Sequence, residues 1–200
     1  MQSKGVKRKF SDFTLPQALM KLDIEQLTPW TIVVEPAAPS DYFKERLRRL
    51  EQFDLTTTER AKELLIDAFC EEALQAHERL KIWKGAGLRG DGAAGAVDYL
   101  VARNIAYLSK PLVCVVEAKK DDFEQGLAQC LVEMQACQWN NAQADKLVDV
   151  YGIVTNGTTW QFYKLDLKGQ VWETLPFSIS TLEQILAILS YVFTQCEQNL

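Results

Sequence analysis

Two hundred residues with 48% hydrophobic and 24% charged content fit one globular domain with a real core. A formal charge of −5 excludes a chain that is basic throughout, so any grip on nucleic acid must gather its cations around one cleft. Five cysteines without paired spacing point to reduced thiols and a cytoplasmic setting, and a single histidine argues against zinc or Ser-His-Asp chemistry.

Residues 1–10 carry Lys4, Lys7, Arg8 and Lys9 and read as a solubilising tail. Thr14 caps a short helix with Pro16 in its first turn and Leu15, Leu19 and Leu22 at helical spacing. Thr31 to Val34 reads as a strand, and 37–40 as a loop around Pro39. Ser40 or Asp41 then caps a helix to about Phe53, whose Arg46, Arg48 and Arg49 form a solvated face. Residues 1–57 are thus a helical extension packed on a core of 58–200. Thr56 to Glu59 opens the next helix, running to about His77 with its stripe at Ala61, Leu65, Ala68 and Phe69. Glu72 falls in that stripe and is expected to be buried, while Glu59 and Glu63 share another side.

Leu80 to Trp83 is the first core strand. Gly85 to Gly90 matches G-x-G-x-x-G, but further glycines and a strand follow where a dinucleotide site needs a helix. The stretch reads as a flexible hairpin loop with Arg89 at its tip, able to lie over a substrate backbone. Gly95 to Val101 is a second strand with Asp98 embedded in it, a residue that strands disfavour and that something must compensate. Leu112 to Val116 is a short buried strand running into Glu117, Ala118 and Lys119. Alternation puts Glu117 and Lys119 on one face and Ala118 on the other. Asp121 and Asp122 cap a helix with Phe123, Leu127, Cys130, Leu131, Met134 and Gln138 toward the core; Gln125 and Gln129 share a different face. Val148 to Thr155 is a strand, Asn156-Gly157 a turn and Thr159 to Leu165 its antiparallel partner. Val171 to Leu175 is another strand, and Thr181 caps a final helix to about Gln195. Its run Ile185–Phe193 is too short to span a bilayer, and no signal sequence stands at the N-terminus, so no membrane is expected.

Two carboxylates converging at strand ends make a hard oxygen site suited to Mg²⁺ or Mn²⁺, with the Ala118 carbonyl as a third oxygen. Lys119 beside them would orient or deprotonate a water, or neutralise charge on a phosphorane-like transition state. Glu and Lys at the end of a buried strand also mark where a chain re-enters water, and such neighbours pair weakly.

Gly-x-Val-Asp-Tyr at 95–99, Val-Val-Glu-Ala-Lys at 115–119 and a following helix that carries Gln resemble the PD-(D/E)XK nuclease superfamily. The likeness is nearest the nuclease-like N-terminal domain of type I restriction enzyme motor subunits. Tyr151 to Gly157 and Trp160 to Tyr163 are similar to that branch as well, and the match covers roughly Thr58 to Leu165. The Pro of the signature is absent, with Ala96-Val97 before Asp98. The resemblance implies an α/β fold of restriction endonuclease type, a mixed central sheet flanked by helices on both faces. It implies metal-dependent hydrolysis of DNA phosphodiesters, with Asp98, Glu117 and the Ala118 carbonyl on Mg²⁺ or Mn²⁺ and Lys119 acting on the water. It places a Gln near the metal, Gln129 ahead of Gln125, and an acid from the helix that opens at 58. Glu63 is the choice there, with Glu59, Glu71 and Glu72 as competitors. A homodimer is compatible with it. A nuclease-derived domain that binds nucleic acid or a partner protein without cutting is the alternative, because fold does not fix function.

Overall fold

The structure is a computed structural model that describes residues 8–119 and 122–200. Its strands are β1 (Thr28–Pro29), β2 (Leu80–Arg89), β3 (Ala94–Arg103), β4 (Leu112–Ala118), β5 (Val150–Thr155), β6 (Thr159–Leu165), β7 (Val171–Glu173) and β8 (Phe177–Ser178). Its helices are α1 (Leu15–Leu22), α2 (Asp41–Leu50), α3 (Glu59–Leu74), α4 (Phe123–Ala142) and α5 (Leu182–Gln198). Among the described residues the strands form one mixed sheet in the order β1-β7-β6-β5-β4-β3-β2, with β8 beside β6. β4 and β5 are parallel, joined by the crossover through α4, and the hairpins on either side are antiparallel.

Every residue of β4 and β5 is buried. That is why Leu112 to Val116 reads as an unbroken apolar run: a parallel pair covered on both faces has no polar side to show. One face packs Phe69, Tyr99, Trp160, Phe162 and Phe193 under α2, α3 and α5. The other packs Leu100, Val115, Leu131, Met134 and Tyr163 under α1 and α4. The chain is therefore an α/β protein with helices on both faces of a mixed sheet. The segment before α3 contributes to both cores, through Phe10 and Phe13 on one side and Phe43 and Leu50 on the other.

Caps start most helices where side-chain chemistry predicts. Thr14 and Gln17 form a capping box on α1, Ser40 accepts from Phe43 N at 3.1 Å, Thr58 from Ala61 N at 3.1 Å, and Asp122 from Gln125 N at 2.9 Å. Asp121 lies outside the described residues. Thr181 makes no cap bond; a 3₁₀ turn at Ile179–Thr181 leads into α5 instead. His77 is past the end of α3 and buried, 3.4 Å from Glu197 and 3.3 Å from Ser190 of α5, so it ties two helices together. All five cysteines are buried free thiols. No helix among the described residues is long and apolar enough to cross a membrane.

Two expectations change. Thr31 to Val34 is not a strand, and Val33 is 89% exposed. Among the described residues the strand before it pairs with β7, three residues long, and pairing runs out after Thr28, Pro29 and the Trp30 N–H bond to Glu173. The G-x-G-x-x-G stretch is not a loop either: β2 runs through it to Arg89, because the long ladder with β3 supplies partners that glycine's own preference does not. Gly85, at φ +62°, lies where the pairing passes from Lys84–Tyr99 to Ala86–Val97, opposite Asp98. That left-handed backbone favours glycine. The turn is only Gly90–Ala93, and Gly90 rests against α4, where a Cβ would stand 2.6 Å from that of Ala136.

Asn141, near the end of α4, is fully buried and grips the first residue of β4 from both sides. Its Nδ2 donates to Leu112 O at 2.8 Å and its Oδ1 accepts from Leu112 N at 2.7 Å. Asn141→Ala should therefore cost about 2–4 kcal/mol in urea denaturation, since two buried backbone groups lose their partners. Asn141→Asp should be as damaging, because a carboxylate cannot donate to Leu112 O; a loss under about 0.5 kcal/mol for either variant would refute the role.

Candidate active site

The site is built by the pairing of β3 with β4. Tyr99 and Val116 are register partners and both enter the core under α3 and α5. Glu117, next to Val116, therefore turns to the face covered by α4, while on β3 the alternation breaks at Asp98, between Val97 in one core and Tyr99 in the other. The cost of Asp98 in a strand is met by a hydrogen bond from Ala118 N to its Oδ2 at 2.9 Å. Glu117 is 1% exposed. Its Oε2 accepts from Gln129 Nε2 at 2.9 Å, and its Oε1 lies 2.7 Å from Lys119 Nζ.

Gln129 closes the arrangement. Its Nε2 donates to Glu117 and also, at 3.0 Å, to Glu133 Oε1 one turn further along α4. That double donation leaves its Oε1 to accept from Lys119 Nζ at 3.2 Å. Lys119 is reached across Gly126, where a Cβ would stand 2.9 Å from Lys119 Cγ and 2.8 Å from Val154 Cγ1. Any side chain at 126 would push the lysine stem away.

The charges are frustrated. Burial, then the Asp98 charge, pushes the Glu117 carboxyl up to about 8 against the opposing pull of Lys119. Burial also raises Asp98, against the Ala118 hydrogen bond and the Lys119 charge. Glu133 is raised well above the carboxylate range by burial and then by Glu117, and its Oε2 has no hydrogen-bond partner among the described residues. Burial alone would lower Lys119, but the charges of Glu117 and Asp98 outweigh it and hold the ammonium protonated.

The other expected residues fall nearby or elsewhere. Glu63 is 3.0 Å from Lys84 of β2, which also meets Asp67 at 2.9 Å; Tyr99 donates to Asp67 at 2.8 Å. The charges of Glu63 and Glu59 raise Asp98 without direct contact. Glu71 pairs with Arg46, and Glu72 is half-buried, accepting from Ser40 N and Oγ at 2.7 Å each. Both acids serve the α2–α3 contact. Gln125 donates to Ser11 O and Phe13 O and so pins the N-terminal segment on α4.

Two residues escape a reading by motif. Glu133 stands among Cys130, Leu131, Val132 and Met134, an acid in a run with no polar face, four residues after Gln129; that spacing is the clue to it. Gly126 is a glycine inside a helix, where the backbone alone disfavours it.

Among the described residues, no three or more His, Cys, Asp or Glu side chains are grouped to hold a metal. Asp98 and Glu117 with the Ala118 carbonyl make an all-oxygen set of two acids. Burial raises both acids, and the Asp98 charge adds to the rise at Glu117 against the pull of Lys119 Nζ, 2.7 Å from Glu117 Oε1. Such a set fits Mg²⁺, which commonly takes one or two carboxylates and keeps several waters.

No family model matches the chain. Crinkler effector protein 5 of Phytophthora infestans is 37% identical to it over 78 residues, which are 39% of this chain and 19% of that protein.

A pH dependence follows from the raised acids. The folded state binds the Glu117 proton more tightly than the unfolded chain, so its extra proton is held between roughly pH 4.5 and 8 and stability falls as pH rises through that window. Asp98 and Glu133 add the same sign. The depressed acids Glu45 and Asp54, at about 2, act below that window. In EDTA the melting temperature should drop from pH 5 to pH 8, by an amount corresponding to a few kcal/mol. Glu117→Gln should flatten the profile, and a wild-type profile level over that range would contradict the assignment.

Proposed function

We propose that this chain is a metal-dependent nuclease that hydrolyses phosphodiester bonds of DNA, on the PD-(D/E)XK plan. The observation that carries the reading is the contact set of Glu117, Lys119 and Gln129 at the end of β4, beside Asp98 on the neighbouring strand. Asp98, Glu117 and the Ala118 carbonyl would hold Mg²⁺ or Mn²⁺. Bound there, the ion would polarise the scissile phosphate and acidify a water.

The chain's own residues then divide the remaining work. Lys119 is held protonated, so it acts as a fixed cation that neutralises charge building on the phosphate oxygens, not as the base that deprotonates water. Gln129 keeps the ammonium in place and bonds Oε2 of Glu117, so the carboxylate turns Oε1 toward Lys119. Glu133 orients the Gln129 amide.

A second reading, a silent nuclease-derived domain that binds nucleic acid or a partner protein, draws on the Glu117 carboxyl pushed up by burial and on the absence of a third grouped carboxylate among the described residues. The identity with an effector concerns a fifth of that protein and favours neither reading.

Plasmid and single-stranded DNA incubated with Mg²⁺, Mn²⁺ or EDTA separate the two. Cleavage should require the ion, and Lys119→Met should slow it about 10²–10³-fold while binding Mg²⁺ as well as, or better than, wild type. Asp98→Asn should lose both cleavage and calorimetric Mg²⁺ binding. Equal loss of Mg²⁺ in both variants would refute this division of roles, and binding without cleavage under every ion would establish the silent domain.

A further inference from the structure

The strongest unassigned feature is a cleft beside the site. A cavity of about 690 Å³ lies between the β2–β3 hairpin and the segment 108–110, walled by Arg89, Ala94, Gly95, Ala96, Ser109 and Lys110. A smaller one of about 370 Å³ shares the wall Ala94–Ala96 and reaches Gln129 on one side and Lys9 on the other. The two cavities thus flank one short stretch of β3, and the inner one ends on the amide that holds Glu117 and Lys119.

Charge along this path differs from that of the chain as a whole. The protein carries −5, yet Arg89 and Lys110 stand at the larger cavity and Lys9 at the smaller one. None of the three forms an ion pair among the described residues, whereas Lys84, Arg46, Arg48 and Arg49 are all engaged by acids. The shared wall is two alanines and a glycine, which let a backbone come close without steric or apolar selection. Leu108, 36% exposed, lines the larger cavity, and Tyr107, next to it in the chain, presents a ring that is 68% exposed.

We infer that this cleft binds single-stranded nucleic acid, Arg89 and Lys110 taking phosphates of the strand that leads to the Asp98–Glu117 site. The inference rests on the nuclease reading and adds the form of its substrate. A sugar–phosphate strand needs a cationic groove and a face for its bases, and both are present. A duplex gripped without sequence preference needs many phosphate contacts over a broad basic face, which an acidic protein with three cations along one groove does not offer.

Fluorescence anisotropy in EDTA tests this without cleavage, using a labelled fifteen-mer of thymidylate, the same length of uridylate, and a fifteen-base-pair duplex. Wild type should bind the single strands more tightly than the duplex, and the two homopolymers distinguish DNA from RNA. Arg89→Ala with Lys110→Ala should weaken single-strand binding at least tenfold and lower the slope of log affinity against log salt by about 1.4, two phosphates at about 0.7 each. Arg89→Lys with Lys110→Arg should bind nearly as wild type. Lys44→Ala with Lys168→Ala, which removes the same charge elsewhere, should change affinity less than twofold. Unaltered binding by the alanine pair, an equal loss in the remote pair, a duplex bound as tightly as a single strand, or no binding to any of the three would each overturn the inference. Lys119→Met keeps the two readings apart. If it abolishes cleavage while the alanine pair binds normally, the cleft is wrong and the nuclease stands; if the alanine pair loses binding while no protein cleaves, the cleft stands and the nuclease falls.

Discussion

A carboxylate almost wholly withdrawn from water, near the end of a strand buried along its whole length, sets the terms for everything around it. Glu117 could have been an apolar residue at that place, since β4 is covered on both faces. As an acid it demands a donor and a counter-charge, and α4 and the chain just past β4 supply them as Gln129 and Lys119. Each demand then propagates. Lys119 needs a path past α4, which Gly126 opens, and Gln129 needs its amide fixed, which Glu133 does by accepting its second N–H bond. Two further acids in the same low-dielectric region make the cluster costlier still. Expense of this kind usually marks a place where chemistry outweighs stability.

The central architecture was legible because it depends on short-range patterns. The buried run at 112–116, the alternation after it, and caps at Thr14, Ser40, Thr58 and Asp122 each follow from local chemistry. So did the face of Glu117, whereas Asp98 sits where the alternation of β3 breaks, opposite Gly85. What stayed hidden depends on neighbours remote in the chain. β2 extends through its glycines only because β3 offers a ladder, and Thr31–Val34 fails to pair only because β7 is short.

The candidate site divides in the same way. The Glu-x-Lys spacing could be read from the strand period; the helix period put Gln125 and Gln129 on one face, and only the resemblance singled out Gln129. Among the helix acids no period could choose, because their fates are set by groups on other elements: Lys84 for Glu63, Arg46 for Glu71, and Ser40 for Glu72. Glu133 was missed for a different reason. A helix buried on nearly all sides shows almost no amphipathic contrast, so an inward acid does not stand out against a polar face.

The kink at Gly85 has a meaning for the sheet as well as for the site. β2 is the outermost strand on its side, ten residues long, and a flat strand of that length would invite pairing with another chain. It is neither flat nor neutral. Gly85 breaks its course in a left-handed step, and Lys81 and Lys84 place positive charge on either side of Trp83. The opposite border is β1, only two residues long. Both margins of the sheet are thus poor templates for a foreign strand, and the residue that bends the backbone opposite Asp98 also guards the protein against edge-to-edge aggregation.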